Sequence, residues 1–600
     1  MKKLVYMSLA VAMSGIISSC DDAIEAPTKS SMDSSAIFSV PELAEAAVMG
    51  IHVSFAETNS YRGRFLPFYG MNTDAEWYNT LDKTDDDRSR LCNYNAQTEN
   101  GQMNTDNNAW AKLYEAIERA NMCIEGLRQY GMGNAELEQL LGEAITLRAM
   151  IYVDLVKAWR DVPARFEPIN SETVYIAKSS CDIIYKQLLA DLDEAAQYLP
   201  WPNENSTVRS VERVSKAFAK GLRARVALYA GGYCQRADGS ISLSTDPELE
   251  RSKMYAIAKQ ECLEVIESGS CKLGAFEDVF HALCEDDATA GNESIFEIPF
   301  ADGRGRVLYT FGVKHTKVNK YTGQAQGGAN GPIPTLFYDF DVDDARRDIT
   351  CVPYEWNLQD GQNADANGQP VQSLRSADKW CFGKLRYEWM TRRVTSSNDD
   401  GINWQVLRMA DVYMMAAEAI NELEGPTNAA QYLKPILDRA LPAEKVTAYM
   451  ASATASKEAF FNAIVDQRRF EFAGEMLRKM DLIRWNLLKT KLDATKADLV
   501  ALGTRTGKYA DLPAKLYIKV ADDSETLQIY GMNHGDTDEE GSALEGYDPK
   551  DWLTETKGEA LKTKSEALYL NNPDGYQFWP IWQTFIDKSN GSLVNDAQYQ

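Results

Sequence analysis

The chain of 600 residues carries 88 acidic and 63 basic side chains, so its formal net charge at pH 7 is −25. Such a surface repels phosphate backbones, which argues against nucleic acid as a partner. The hydrophobic fraction of 44% and the twelve tryptophans are typical of a globular protein and exclude a disordered one.

The N-terminal region has the pattern of a secreted, lipid-anchored protein. Two lysines precede an apolar run that is too short to span a bilayer, which predicts a secretory signal peptide over residues 1–19. Two serines directly before Cys20 resemble a bacterial lipobox, so we expect Cys20 to become the acylated N-terminus. Residues 20–40 would then be the lipidated start and a flexible tether. An ordinary cleaved signal that happens to contain a cysteine is the alternative.

Amphipathic helices dominate residues 41–270 and 405–490. Apolar residues recur there at alternating steps of three and four, the period of a buried helical stripe. One such stripe consists of Trp110, Leu113, Ile117, Ala120, Ile124 and Leu127. Successive helix pairs with short connections, each too thin to bury its own apolar face, predict stacked tetratricopeptide-like hairpins. The predicted fold class is therefore mostly α, with long irregular loops and a few short strands.

Two irregular stretches, residues 271–404 and 500–575, interrupt or follow the helical pattern. Gly, Asp, Asn and aromatic residues replace the apolar stripes, with short strand-like runs such as ESIFEIPF. Irregular segments this long in an ordered protein are usually functional loops or disordered inserts. We interpret them as ligand-facing loops on the helical scaffold, so that residues 41–600 form a single domain.

The segment 458–486 predicts one long helix with an apolar stripe and a row of charges. Arg468, Glu471, Glu475 and Arg478 lie three or four residues apart, the spacing at which opposite charges bridge along a helix. We expect these four side chains to form a structural network. A catalytic pair of Glu471 and Glu475 is the alternative, but adjacent arginines would keep both carboxylates ionised, which is unsuitable for a general acid.

The same segment carries a resemblance to a known family. DQRRFEFAGEMLRKMDLIRW resembles the signature of the SusD/RagB family of outer-membrane nutrient-binding lipoproteins, with Gln467 where glutamate is usual. WQVLRMADVYMMAAEAINELEG is similar to another segment of that family, with Asp411 in place of its usual glutamate. The resemblance implies a tetratricopeptide-like fold, oligosaccharide capture and partnership with a SusC-like TonB-dependent outer-membrane transporter. It also implies that the acidic pair after Cys20 is a surface-export signal.

Aromatic residues on loops are the candidates for sugar binding, because a ring plane can cover the apolar face of a sugar while its edge makes polar contacts. In the family, loops beside the first helix hairpins and loops from the irregular middle form the sugar site. The resemblance therefore implies a first group of ligand-binding residues, with Trp77 or Tyr78 as the stacking plane. The other members of this group are Asn72, Asp74, Glu76 and Arg88. From the middle block we expect Tyr309 and Tyr321 to be exposed, because Gly and Lys flank them; Trp356 and Trp380 are the next candidates.

Motifs for catalysis, cofactors and metals are absent from the sequence. It contains no GxSxG, no phosphate-binding loop and no GxGxxG leading from strand to helix, and its four histidines are scattered. We therefore expect neither catalysis nor a cofactor or metal. The resemblance and the lipobox at Cys20 imply a binding protein that is anchored in the outer membrane and faces the exterior. A peptide or another nutrient as the ligand is one alternative. A secreted glycan hydrolase is another, since a glycosidase needs only two suitably placed carboxylates.

Overall fold

The computed structural model describes residues 33–600, and Cys20 with the predicted signal peptide lies outside them. The end of the predicted tether forms a short helix, Ser34–Phe38. The Phe38 ring at its end packs directly on Gly126. A β-carbon at Gly126 would lie 2.0 Å from that ring, so this contact requires glycine. The prediction of a flexible tether that reaches residue 40 is therefore wrong for residues 34–38.

Long helices form the first part of the scaffold. They are Pro41–Met49, Ala109–Tyr130, Ala135–Trp159, Cys181–Tyr198, Lys216–Ala230 and Arg251–Glu267. From Ala109 onward, each of these helices packs on the next one along the chain. Polar side chains fix where they begin: Asn108 accepts a hydrogen bond from the Ala111 amide at the start of Ala109–Tyr130, and Ser180 accepts one from the Asp182 amide at the start of Cys181–Tyr198.

A second group of helices continues the stack. They are Met409–Glu424, Pro426–Asp438, Ala443–Ala453, Lys457–Phe472, Arg478–Arg484, Leu488–Thr504 and Glu555–Ala567. The helix Met409–Glu424 packs on both Arg251–Glu267 and Lys457–Phe472, so it joins the two groups. The prediction of a mostly α fold built from stacked helix hairpins is confirmed.

The predicted long helix over residues 458–486 is two helices. The first ends at Phe472, and in the turn that follows Gly474 and Met476 have φ angles of +86° and +58°. A residue with positive φ cannot continue a right-handed helix, so the second helix starts only at Arg478. The prediction of one continuous helix is wrong, and Glu475 lies in the turn instead of on a helical row of charges.

Short strands and helices occupy the predicted loop regions. The antiparallel strand pairs are Glu76–Tyr78 with Asn330–Pro332, Val162–Pro163 with Lys178–Ser179, Cys234–Gln235 with Ile241–Ser242, Ser294–Ile298 with Trp404–Arg408, Cys351–Val352 with Cys381–Phe382, and Tyr354–Leu358 with Pro370–Leu374. A three-stranded sheet contains Leu527–Tyr530, Lys515–Val520 and Asp548–Asp551 in that order. The remaining short α-helices are Asp87–Cys92, Phe276–Cys284, Val307–Phe311, Pro334–Asp339, Arg347–Thr350, Asp538–Ala543 and Gln583–Asp587. Residues 500–575 are therefore partly regular, in contrast to the prediction.

One continuous cluster of buried apolar side chains extends from Phe38 to Ile581. It includes residues of the helices and of the loop-rich segments, so the loops are fixed on the scaffold by a shared core. Within residues 33–600, every helix is too short or too polar to cross a membrane.

Candidate functional site

The first predicted group of ligand-binding residues lies in the protein core. Asn72, Asp74, Glu76 and Trp77 are at most 3% exposed, and Tyr78 is 7% exposed. A sugar on the protein surface cannot reach a ring or a carboxylate at this depth. The expectation that these side chains are accessible is therefore wrong for all five, and the stacking role of Trp77 is not retained.

Strand pairing explains the burial of Trp77. The strand Glu76–Tyr78 pairs with Asn330–Pro332, and Trp77 stands opposite Gly331. A β-carbon at Gly331 would lie 1.9 Å from the Trp380 carbonyl oxygen, so three backbone segments meet closely at this point. The ammonium of Lys564 lies 4.8 Å from the centre of the Trp77 ring and covers it further.

The polar members of this group bind other parts of the protein. Both oxygens of Asp74 accept hydrogen bonds from the Arg478 guanidinium, at 2.7 and 2.6 Å. Burial alone would raise the pKa of Asp74, but the positive charge of Arg478 outweighs burial and lowers it to about 2. Glu76 accepts a hydrogen bond from the Gly474 amide at 2.5 Å, and burial raises its pKa to about 8. Asn72 bonds the backbone at Tyr78 and Leu568.

Two of the predicted residues, Arg88 and Tyr309, come together at the surface beside the buried Tyr78. Arg88 is exposed and Tyr309 is partly exposed. Partial burial disfavours the charge of Arg88, but the hydroxyl of Tyr78 beside it, the charge of Asp86 and the nearby Tyr309 raise the pKa of Arg88 overall. Loops from the first hairpins and from the irregular middle therefore meet here.

Two Arg-Gly-Arg triplets, residues 62–64 and 304–306, face each other next to this group. Arg62 Nη1 donates to the Gly305 carbonyl oxygen at 3.0 Å, and the Arg306 guanidinium carbon lies 3.9 Å from the centre of the Tyr309 ring. A β-carbon at Gly305 would lie 1.8 Å from Asp400 Oδ1, so only glycine allows the loops to approach this closely. We call Arg64, Arg88, Arg304 and Arg306 the arginine cluster.

Tyr321 lies beside a different aromatic group. Its ring is 6.2 Å from Trp356 and 6.1 Å from His315, and Lys320 Nζ lies 5.0 Å from its centre. Tyr321 is partly exposed, but Trp356 is 4% and Trp380 is 0% exposed. The two tryptophans named as next candidates are therefore core residues, and an accessible position is wrong for both.

Buried charges surround Glu471 in the predicted structural network. Its carboxylate accepts hydrogen bonds from Arg346 at 3.0 Å, from Arg408 at 2.7 Å and from Arg439. Burial alone would raise its pKa, but these three guanidiniums outweigh burial and hold the pKa of Glu471 well below its usual range. A carboxylate that is fully buried and held ionised cannot protonate a substrate, so the geometry argues against the catalytic alternative.

Glu475 and Arg478 also find partners on distant segments. Glu475 pairs with Lys384 at 2.6 Å and with Arg408 at 2.8 Å. Arg478 pairs with Asp74, as described above. The predicted members of the network thus do not bridge one another along a helix.

Arg468 belongs to a second chain of charges that crosses the scaffold. Its guanidinium donates to Asp411 at 2.5 Å and to Asp481 at 2.7 Å, and Asp411 also pairs with Arg225 at 2.6 Å. These four residues lie on four different helices. The chain therefore links the first group of helices to the second through buried ion pairs.

A small cavity lies beside the turn after Phe472, lined by Phe280, Phe382 and Glu475 among others. Its volume is about 30 Å³, which is close to the space taken by one water molecule. A sugar ring does not fit in it.

A profile of the SusD family matches residues 292–599, which is just over half of the chain. The chain belongs to the SusD family. A second profile, described as starch-binding and associating with the outer membrane, matches residues 46–228 of this SusD-family chain.

Individual SusD-like proteins are similar over most of their length. SusD-like protein P25 of Formosa agariphila is 24% identical over 517 residues, which cover 78% of this chain and 88% of that protein. A SusD homologue of Bacteroides thetaiotaomicron superposes with a TM-score of 0.69 at 18% identity, covering 94% of this chain and 98% of that one. Surface glycan-binding protein A of the same species, solved in complex with laminarihexaose, gives a TM-score of 0.59 at 18% identity, covering 92% and 99%.

Sequence reasoning missed three arginines of the cluster in this SusD-family chain: Arg64, Arg304 and Arg306. The available signal was local, because the triplet Arg-Gly-Arg occurs in both YRGRF and GRGRV of a strongly acidic chain. The sequence just before Trp77 also indicates that this part of the chain is buried. Tyr61 to Met71 contains six large apolar or aromatic residues besides one proline, a density that is typical of a core segment.

Proposed function

We propose that this chain is a cell-surface lipoprotein that binds an oligosaccharide and delivers it to a SusC-like TonB-dependent transporter in the outer membrane. Membership of the SusD family carries the proposal. Two similarities support it. The second matching profile is described as starch-binding and associating with the outer membrane, and surface glycan-binding protein A was solved in complex with laminarihexaose.

Tyr309 and Arg88 are the residues of this chain that we assign to sugar binding. Both are accessible at the junction of the two loop regions, and Tyr309 presents an aromatic ring on a short helix, Val307–Phe311. A phenol ring covers the apolar face of a sugar, while guanidinium groups donate hydrogen bonds to its oxygens. Tyr321, which is partly exposed beside His315 and Trp356, is a second stacking residue in this proposal.

Replacement of Tyr309 by alanine is expected to weaken oligosaccharide binding about 5- to 150-fold. This range corresponds to about 1–3 kcal/mol, the scale of burying a large apolar side chain against a ligand. Calorimetry on the soluble chain from residue 21 measures the effect, after a polysaccharide panel has identified a ligand. Tyr175→Ala is the matched control, because Tyr175 is 51% exposed on a loop outside the site. Equal affinity of Tyr309→Ala and the unchanged protein would contradict the assignment.

The same panel separates the proposal from its two alternatives. Binding without new reducing ends is expected for a capture protein. Steady release of reducing ends from any polysaccharide would identify a hydrolase instead. Retention of oligopeptides and of no glycan would assign the peptide alternative.

The lipid anchor is tested by Cys20→Ala. Acyl chains on Cys20 would hold the mature protein on the membrane, since two or more chains anchor a protein stably. We expect the variant to move from the membrane fraction to the soluble fraction and to incorporate no labelled fatty acid. A Cys20→Ala protein that is still acylated and still sediments with membranes would show that the anchor lies elsewhere.

A further inference from the structure

The arginine cluster is unusual because its positive charges are unpaired in an acidic protein. The whole chain has 25 more acidic than basic side chains. Yet in the part of the chain that the structure describes, none of Arg64, Arg88, Arg304 and Arg306 forms an ion pair with a carboxylate. Their side-chain partners are neutral: Arg64 donates to Asn59 at 3.1 Å, and Arg306 donates to Asn398 at 3.0 Å.

Four acidic side chains in the segments around the cluster are already bound to other groups. Asp302 and Asp399 pair with Arg392, at 2.9 and 3.4 Å. Asp87 pairs with Arg90 at 3.4 Å and accepts a hydrogen bond from the Gly101 amide. Asp86 acts electrostatically on Arg88, but its side chain caps a helix by accepting the backbone amide of that residue.

Two further acids lie beside the two triplets: the exposed Glu57, whose charge raises the pKa of Arg62, and the buried Asp400. The carboxylate of Asp400 accepts the amide of Leu308 at 2.9 Å. Burial raises the pKa of Asp400 to about 7, against the effect of these backbone amides. Asp400 therefore offers the cluster only partial compensation near neutral pH.

The positive charges are close enough to affect one another. Burial lowers the pKa of Arg64, and the charges of Arg88 and Arg306 lower it further. Burial also lowers the pKa of Arg62 to about 10, with Arg304 and Arg306 adding to the effect and Asp400 and Glu57 opposing it. Like charges held together in this way destabilise the free protein, and a bound anion would relieve their repulsion.

Backbone constraints keep the two triplets in contact. A β-carbon at Gly63 would lie 1.9 Å from the Thr58 carbonyl oxygen and 3.7 Å from Arg306 Cδ. Arg62, which is 1% exposed, donates to three oxygens of neighbouring segments, including the Gly305 carbonyl oxygen. The cluster is thus a built feature of the loop junction and not a chance meeting of long surface side chains.

We propose that the arginine cluster binds acidic groups of the captured oligosaccharide, namely the carboxylates of uronic acids or sulfate esters. This inference rests on the proposed function and specifies its ligand as an anionic glycan. A guanidinium group binds a carboxylate or a sulfate through two parallel hydrogen bonds, and Tyr309 lies beside the cluster to cover a sugar ring. The rest of an acidic surface repels a polyanion, so the ligand would be directed to this site.

A panel with three arms tests the proposal on the chain from residue 21, which keeps every described residue. The arms are neutral glycans (starch and laminarin), a carboxylated glycan (polygalacturonate) and a sulfated glycan (carrageenan). We expect retardation in affinity gels by a glycan of one of the two anionic arms and weaker or no retardation by the neutral arm. The two anionic arms distinguish carboxylate from sulfate recognition. Binding should also weaken as sodium chloride is raised, because salt screens exposed charges.

Arg64→Gln and Arg88→Gln are the variants, alone and combined. Hydrogen bonds between charged groups are strong enough that each single change should weaken binding to the anionic glycan about tenfold or more. Arg209→Gln is the matched control, since Arg209 is exposed and lies outside the cluster. Melting temperatures are measured for all variants, and the salt dependence of the unchanged protein gives a readout that needs no variant.

The outcomes separate this inference from the proposed function. Binding to neutral glycans alone, unaffected by the variants, would overturn the anionic ligand and leave glycan capture intact. Failure to bind glycans of any arm would overturn glycan capture and the inference with it. Anionic binding that is equal in the double variant and the control would place the site elsewhere and overturn the role of the cluster. Equal retention of polyglutamate, which carries charge without sugar, would also overturn it.

Discussion

Replacement of Glu471 by glutamine is expected to lower the free energy of unfolding by about 3–5 kcal/mol. Glu471 is fully buried, and its carboxylate binds Arg346, Arg408 and Arg439. Removal of one charge from a buried cluster leaves the opposite charges uncompensated in a medium that solvates them poorly, which typically costs this much. Glutamine keeps the shape of the side chain, so the loss reports charge and not a cavity.

Urea denaturation of Glu471→Gln and of the unchanged protein measures this effect. Asp438→Asn is the control, because Asp438 pairs with Lys434 on an exposed helix face and such pairs contribute about 1 kcal/mol or less. A Glu471→Gln protein that unfolds at the same urea concentration as this control would show that the three arginines need no buried partner.

The second large effect is a dependence of stability on pH that comes from Glu76. Burial raises its pKa to about 8 in the folded protein, while in the unfolded chain it ionises near its usual value. Between these two values the folded state holds a proton that the unfolded state has lost. The stabilising contribution is therefore complete below about pH 4 and is lost as pH rises toward 8, at up to about 1.4 kcal/mol per pH unit.

Glu76→Gln should remove this slope, because glutamine is neutral at every pH. The difference in unfolding free energy between the variant and the unchanged protein, measured at several pH values from about 5 to 8, isolates the contribution of this residue. Glu99→Gln, at an exposed position, is the control and should follow the unchanged protein. A difference that stays constant over this range would mean that Glu76 is ionised in the folded state.

The helical scaffold was predictable from sequence because its signals are local. A stripe such as that of Trp110 to Leu127 repeats every three or four residues, and the structure has the helix Ala109–Tyr130 at this place. The break after Phe472 was harder to predict. The segment keeps its apolar period through the turn, and only the backbone angles of Gly474 and Met476 reveal where the helix ends.

The candidate site depends on contacts between segments that are distant in sequence. Trp77 has the flanking polar residues of an exposed loop, but it pairs with Gly331, more than 250 residues later, and is buried. The pairing of Asp74 with Arg478 is equally remote. A single sequence shows which residue types are present but not which of them meet. This limit explains why the sequence did not reveal that the two Arg-Gly-Arg triplets face each other.

The ion-pair chain from Arg225 through Asp411 to Arg468 and Asp481 has a consequence for how the protein unfolds. Each charge in it is buried and is neutralised by a residue on another helix. Separation of the first group of helices from the second would break the pair of Arg225 with Asp411. Asp411 would then be exposed on one fragment, and Arg225 would have lost its partner on the other. The regions matched by the two family profiles, residues 46–228 and 292–599, are thus poor candidates for independent expression. We expect both regions to melt in one cooperative transition, as halves of the same folding unit.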